Sequence, residues 1–390
     1  MNDSMRTAQP SPPETSDKAV CQPVVPRACL SASSELREMK VPAYYSELVD
    51  WSDAQDPLCR QVLPSPNELN HHPSELADPI GDLRFQPVPR LTHRHPDRVL
   101  LYPTYDCAVA CRFCFRKELL REANGGFAPE ELEPALQYVA ERDHLCEVIL
   151  SGGDPLMVGN EGLAWLRDRL QACRHLRLLR IHTRIPAVQP SRVTPDLVNA
   201  LRGRLMVCVV THFNHPNEIT PAAQEACRLL REGGFMLLNQ TVLLKGVNDN
   251  PEVLIALLRG LTYDLGAKPY YLHHCDLTRG LRHFRTTVDD GLQLMHQLRG
   301  RVSGLCVPCY VLDLPGGRGK VPLGPSYLDG REGQRWRFRA HAGEPQVYDE
   351  VVENDRTSPP EPPLPGELPA AAAEGRCSAR TQLIDGEQHL

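Results

Sequence analysis

An α/β fold built on a partial (β/α)6 barrel, with an N-terminal helical subdomain and disordered tails, is predicted by three features of the chain. Apolar runs of strand length recur at regular spacing from Val99 onward. Helical patterns separate them. Polar, chemistry-bearing clusters follow the runs one after another, as they do at the C-terminal mouth of a barrel.

The strands are Val99 to Tyr102, Val148 to Leu150, Leu178 to Ile181, Met206 to Val210, Met236 to Leu244 and Tyr270 to Leu272, each apolar enough to be buried on both faces of a parallel sheet. Between them lie "PEELEPALQYVAER", "EGLAWLRDRLQAC", "PDLVNALRGR", "PAAQEACRLLREGG" and "PEVLIALLRGL". Four of these open at or beside proline, which a first helical turn accepts because its N–H groups have no partner there. A seventh strand, "LCVPCYVLDL", closes one side. Residues 1–38 and 345–390 are rich in Pro, Ser, Thr and Ala without apolar periodicity and read as disordered tails. Residues 39–93, with "VPAYYSELVDW" and "DPLCRQVLPSPNEL", form the helical subdomain; 94–310 form the partial barrel, and 311–344 a loop and C-terminal segment.

Composition bounds the function. The 390 residues carry a net charge of −6 and a pI near 6.2, which gives no basic excess for tracking nucleic acid. No run reaches membrane-span length and "MNDSMRTAQPSPPETSDKAV" lacks the apolar core of a signal peptide, so a cytoplasmic location without membrane contact is expected. Fourteen cysteines spread through so long a chain suit metal or cluster binding by a subset, with the rest as small core residues.

The polar clusters are the stretch "YDCAVACRFCFRK" after strand one, "SGGDP" after two, "HTR" after three, "THFNHP" after four, "NQ" in five, "HHCD" after six and "DLPGGRGK" after seven. Cys107, Cys111 and Cys114 stand at C-x3-C-x2-C. A closed zinc site wants four ligands, usually as two pairs. Three thiolates on one loop instead suit a [4Fe-4S] cluster whose fourth iron stays open to a small molecule. In "DLPGGRGK", glycines let the backbone fold closely around a ligand beside the amine of Lys320. A nucleotide P-loop fails on the pattern at Leu314 and Val321. A Schiff-base lysine for pyridoxal phosphate (PLP) and a solvated surface lysine both remain.

The cysteine spacing, with Phe113 before the last thiol and a strand before the first, resembles the motif of radical S-adenosylmethionine (SAM) enzymes. With "VPRLTHRHPDRVLL", "LSGGDPL", "THFNHPNEIT", "NQTVLLKGVND", "PYYLHHCDLTRGLRHFRT" and "DLPGGRGK" in this order, most of residues 41 to 330 closely resembles the lysine 2,3-aminomutase family. The resemblance implies a radical SAM barrel and an isomerase that uses cluster, SAM and PLP to move an amino group between neighbouring carbons of a small-molecule amino acid. A reducing electron donor would be needed, and a homo-oligomer is allowed. Carried over, Cys107, Cys111 and Cys114 would hold the cluster and Phe113, Gly152, Gly153 and Asp154 would border SAM. Lys320 would carry PLP, Arg94, Arg184 and Gln240 its phosphate, Arg116 the substrate carboxylate, and Asp276 and Asp313 the far amine.

The chain departs from family members that bind zinc. It has Asn250 after "GVND" where those have cysteine, and only Cys377 in the tail, so zinc is not expected. Cys306 and Cys309 form a C-x2-C, with Cys275 near in the fold; these read as core cysteines in preference to an auxiliary metal site. His212, His215, His273 and His274 read as hydrogen-bonding residues of the mouth in preference to metal ligands. L-Lysine is the expected substrate, with ornithine and arginine as competitors. An enzyme of the type that makes β-lysine for elongation factor P would not be expected to keep an aspartate at Asp313, and a non-catalytic cluster- or PLP-binding protein would not need all these residues together.

Overall fold

In a computed structural model of the chain, residues 36, 38–122, 125–340 and 344–351 are described. Nine strands make one sheet in chain order: β1 (Leu91–His95), β2 (Arg98–Thr104), β3 (Glu147–Gly152), β4 (Leu178–Thr183), β5 (Met206–Thr211), β6 (Met236–Leu243), β7 (Lys268–His274), β8 (Cys309–Asp313) and β9 (Lys320–Leu323). Strands β2 to β8 run parallel, and antiparallel β1 and β9 form the two edges, which do not pair with each other. The barrel is therefore open, as the sequence predicts, and all seven expected strands are present.

The crossover helices Pro129–Ala140, Asn160–Ala172, Pro195–Leu201, Pro221–Glu232 and Pro251–Tyr263 occupy the expected stretches, and four begin on proline. Thr194, Thr220 and Asn250 cap three of them by accepting from backbone N–H groups of the first turn, which satisfies donors that the helix itself cannot. Their apolar stripes pack on the sheet through Leu132, Leu166, Leu197, Leu230 and Leu258, each 1% exposed or less. A sixth helix, Val288–Leu298, lies before β8; its signal is the capping box of Thr287 and Asp290.

The stretch 39–93, read as the N-terminal subdomain, carries helices Ala43–Leu48 and Pro57–Val62 and 3-10 turns at Pro66–Leu69 and Leu83–Phe85. Strand β1 begins inside the stretch assigned to that subdomain. Its "LTHRH" sequence is too polar to stand out as a strand, and an edge position tolerates that. The described residues divide into two compact units, the larger from within 1–327 and 339–344 and the smaller from within 328–338 and 345–390. Within the smaller, β10 (Leu328–Glu332), β11 (Arg335–Phe338) and β12 (Gln346–Asp349) form an antiparallel sheet. Strand β12 falls in a stretch read as a tail; residues 352–390, and nearly all of 1–38, lie outside the described residues. No described helix is long and apolar enough to cross a membrane.

Candidate active site

The cysteine loop leaves β2 and is tied down at its start. Asp106 N–H donates to Thr104 Oγ1 at 3.1 Å, Gly153 N–H to Thr104 O at 3.0 Å, and Asp154 N–H to Asp106 O at 2.8 Å, so the turn after β3 lies flat against the start of the loop. Only glycine fits at 153, because a Cβ there would stand 2.3 Å from Asp106 O. Gly152 has φ +95°, a left-handed conformation that also favours glycine. The subdomain pins the middle of the loop. Ala110 N–H donates to Lys40 O at 2.8 Å and Arg112 N–H to Gln61 O at 2.9 Å. The Arg112 guanidinium, 1% exposed, meets Glu68 in a fork, Nε to Oε1 at 2.8 Å and Nη2 to Oε2 at 2.6 Å. Cys107, Cys111 and Cys114 remain partly exposed on this held loop.

Asp154 serves the frame. Its carboxylate accepts from Thr183 Oγ1 and Arg184 N, both at 2.7 Å, and from Leu156 N at 3.1 Å, binding the ends of β3 and β4 together. Phe113 is buried beside the His212 ring, with centroids 5.5 Å apart, and under the Arg184 guanidinium at 5.0 Å.

A second constellation is built on β7, β8 and β9. Asp313 and Lys320 are directly paired across the β8–β9 rung, and Lys320 Nζ lies 2.8 Å from Asp313 Oδ1. His273 Nδ1 stands 3.5 Å from the other oxygen. Burial alone would raise the Asp313 carboxyl, but the His273 hydrogen bond and the Lys320 charge outweigh it and hold it well below the usual range. Asp276 goes the other way: burial, followed by the neighbouring Asp313 charge, pushes it up to about 7. Lys320 and Arg116 act against that rise.

The loop between Asp313 and Lys320 docks on residues 79–85. Gly316 N–H donates to Pro79 O at 3.2 Å, Gly317 lies where a Cβ would meet the Phe85 ring at 2.4 Å, and Gly81 where one would meet Gly316 C at 2.9 Å. Gly316 and Gly319 face open space and, like Gly317, have positive φ. The same segment supplies Asp82, 3% exposed, which organises both arginines: Arg94 Nη2 to Oδ1 at 2.8 Å and Arg116 Nε to Oδ2 at 2.8 Å. Arg116 also donates to Ser151 Oγ at 3.0 Å and lies over the Phe115 ring.

Between these groups sit imidazoles with spare valence. His182 Nε2, His212 Nε2 and Arg94 Nε are buried without a hydrogen-bond partner. Burial first, then cationic neighbours that include Arg116 and Lys320 for His182 and Arg184 for His212, lower both imidazoles; His212 falls to about 3. Arg184 Nε is likewise buried without a hydrogen-bond partner. Of the other mouth histidines, His274 bonds Tyr310 OH and His215 caps Asn217 N–H, as expected. Gln240 lies at a register shift in β6 and makes no side-chain hydrogen bond among the described residues.

Arg184 keeps different company from Arg94. The resemblance places both at one phosphate, but Arg184 donates to Cys111 Sγ, Gln61, Glu218 and Tyr45, all on the cysteine-loop side. Asp82, Glu218, Gln61 and Glu68 are the residues that the sequence reading missed. Capping-box spacings, Ser65 to Glu68 and His215 to Glu218, were the available signal for two of them. Cys275 and Cys306 are buried and Cys309 is exposed, and no group of three His, Cys, Asp or Glu side chains among the described residues is gathered as for a single metal ion. A four-iron cluster spreads its thiolates over separate irons, so its ligands need no such gathering.

The family model for lysine-2,3-aminomutase matches residues 295–363, and one for a 4Fe-4S single-cluster domain matches 97–178. The chain is 41% identical to L-lysine 2,3-aminomutase of Clostridium subterminale, over 80% of this chain and 75% of that one. The chain belongs to the lysine 2,3-aminomutase family of radical SAM enzymes. It is 40% identical to L-lysine 2,3-aminomutase of Acetoanaerobium sticklandii, over 80% and 75%, and 36% identical to glutamate 2,3-aminomutase of Clostridioides difficile, over 73% and 67%. It is thus an isomerase of the radical SAM class, and its chemistry rests on a [4Fe-4S] cluster and SAM.

Proposed function

We propose that the chain is a PLP-dependent L-lysine 2,3-aminomutase in which Cys107, Cys111 and Cys114 hold the cluster and Lys320 carries PLP. The observation that carries the substrate is the pair Asp276 and Asp313. Two carboxylates that feel each other's charge beside Lys320 are relieved by a cation, which a lysine side chain brings and a glutamate side chain does not.

The residues fit the groups. Lys320 offers a partly exposed amine on a loop whose Gly316 and Gly319 leave open space, while Arg94 has an unpartnered buried Nε suited to phosphate. Gln240 adds an uncommitted amide. When bound, the cluster and SAM would supply a carbon-centred radical and PLP a ring that spreads an unpaired electron. The chain's own residues do the positioning. Asp313 holds the Lys320 amine in place before the substrate arrives. Arg116, fixed by Asp82 and Ser151, presents a planar fork for the substrate carboxylate, and Asp276 and Asp313 take the far ammonium. Gly152 and Gly153 let the turn after β3 come close to the cysteine loop.

The test is anaerobic reconstitution with iron, sulfide, SAM and PLP, then incubation with an equimolar mixture of lysine, ornithine, arginine and glutamate under a low-potential reductant. β-Lysine as the main product is expected. Faster conversion of ornithine or arginine would move the substrate while leaving the chemistry, and a β-amino acid from glutamate would overturn the role given to the two aspartates.

A further inference from the structure

The Arg184–Glu218 ion pair is buried, 6% and 0% exposed, and every polar atom of the two side chains except Arg184 Nε is engaged. Arg184 follows β4, and its backbone N–H is fixed by Asp154 Oδ2 at 2.7 Å. On one side its Nη2 reaches Gln61 Oε1 at 2.7 Å, Glu218 Oε1 at 2.8 Å and Tyr45 OH at 3.2 Å. On the other, its Nη1 lies 2.8 Å from Cys111 Sγ. The planes of Tyr45 and Phe113 lie within 5.5 Å and 5.0 Å of the guanidinium carbon. Glu218 is itself fully buried and secured: Tyr45 OH donates to its Oε1 at 2.8 Å, and the N–H groups of Asn214 and His215 donate to its Oε2 at 2.6 and 3.0 Å. A guanidinium held this way cannot swing to a soluble ligand. Its free edge is aimed at one cysteine sulfur.

Iron–sulfur potentials are set by net charge, by hydrogen bonds to the sulfurs and by exclusion of water. Reduction adds one negative charge to the cluster. An N–H donor and a positive charge at a ligand sulfur favour that reduced state, and a carboxylate behind the donor opposes it. We propose that Arg184 is a positioning residue that raises the reduction potential of the cluster through its bond to Cys111 Sγ, and that Glu218 limits this effect by opposing its charge. The inference rests on the reading of Cys111 as a cluster ligand. The electron itself comes from an external low-potential one-electron donor and passes to the cluster, with no bond made or broken at Arg184.

The experiment is a mediated redox titration of the anaerobically reconstituted full chain without SAM, followed by the electron paramagnetic resonance of the reduced cluster. Arg184→Gln should lower the reduced-to-oxidised ratio at a fixed potential at least tenfold, a negative shift of about 59 mV for one electron. Glu218→Gln should shift the potential in the positive direction. A purely structural pair would move both variants alike, so shifts of the same sign, or no shift in Arg184→Gln, would overturn the proposal. If Arg184→Gln does not retain iron, Arg184→Lys keeps the charge and should give a smaller negative shift; loss of iron from both would also overturn it. Iron content of Cys111→Ala separates the two levels of the argument. A full four-iron cluster in that variant would remove the underlying ligand assignment, whereas a depleted one with unmoved potentials in the other variants would defeat only the role of Arg184.

Discussion

The Lys320 ammonium donates to Asp313 Oδ1 at 2.8 Å across a rung in which the two residues are directly opposed. The amine proposed to bear PLP is thereby held by one of the carboxylates proposed for the substrate. Lys320→Ala should abolish the visible absorption of PLP linked to the protein and its trapping by borohydride, while iron content stays at the unmodified level. Residual binding of PLP through Arg94 is expected, because phosphate recognition does not use the amine. A borohydride-stable adduct in this variant would place the cofactor on another lysine.

Asp276 gives the pocket a pH dependence with a definite sign. Its folded value of about 7 is above that of an exposed aspartate, so its contribution to stability is intact at low pH and is lost as pH rises through about 7. Asp276→Asn should therefore stabilise the substrate-free protein at pH 8, with a ceiling of about 4 kcal/mol, and change little at pH 4. Thermal melting at the two pH values is the check. A cationic substrate wants Asp276 ionised, so KM for lysine should fall as pH rises from 6 to 8. An increase in KM over that interval would contradict the assignment.

Asp313→Asn removes the carboxylate that faces both Lys320 and His273. Its loss from a buried charged group should lower kcat/KM for lysine by about 2 to 5 kcal/mol of transition-state stabilisation. Steady-state kinetics with lysine and arginine side by side would show whether the loss is specific to the cationic side chain.

Glu68→Gln should loosen the cysteine loop from a distance. Arg112 and Glu68 are 1% and 3% exposed, so removing one charge strands the other in the interior, at about 3 to 5 kcal/mol. Urea denaturation should show that loss, and iron uptake should fall with it. Glu141→Gln, which breaks an exposed pair with Arg142, should alter stability by at most about 1 kcal/mol.

The parts of the fold legible in the sequence were those set by local pattern. Seven parallel strands announce themselves because burial on both faces requires continuous apolar runs, and the first-turn prolines announce four helices. The edge strands do not. β1 carries two histidines and an arginine, and β9 contains Pro322, which an edge accepts and an interior strand does not. That the candidate residues would stand at strand ends was equally legible, since their clusters follow the apolar runs. Their partners were not. Nothing local in "DPIGDLRF" says that Asp82 will divide its two oxygens between Arg94 and Arg116, and Arg184 carries no sign in the sequence that it will turn toward Cys111 and away from Arg94. Such choices are made by contacts between residues tens of positions apart.

The Asp313–Lys320 rung lies on the outermost strand of the sheet, closed by a loop of glycines over residues 314–319. Side chains of a strand alternate between its faces, so the length of that loop acts as a reading frame for the amine. One inserted or deleted residue carried into the β8–β9 pairing would turn position 320 away from the aspartate without altering either residue, whereas a change of two would restore the facing. Sequences that keep Asp and Lys but differ by one in the spacing between them would be expected to have lost the reaction.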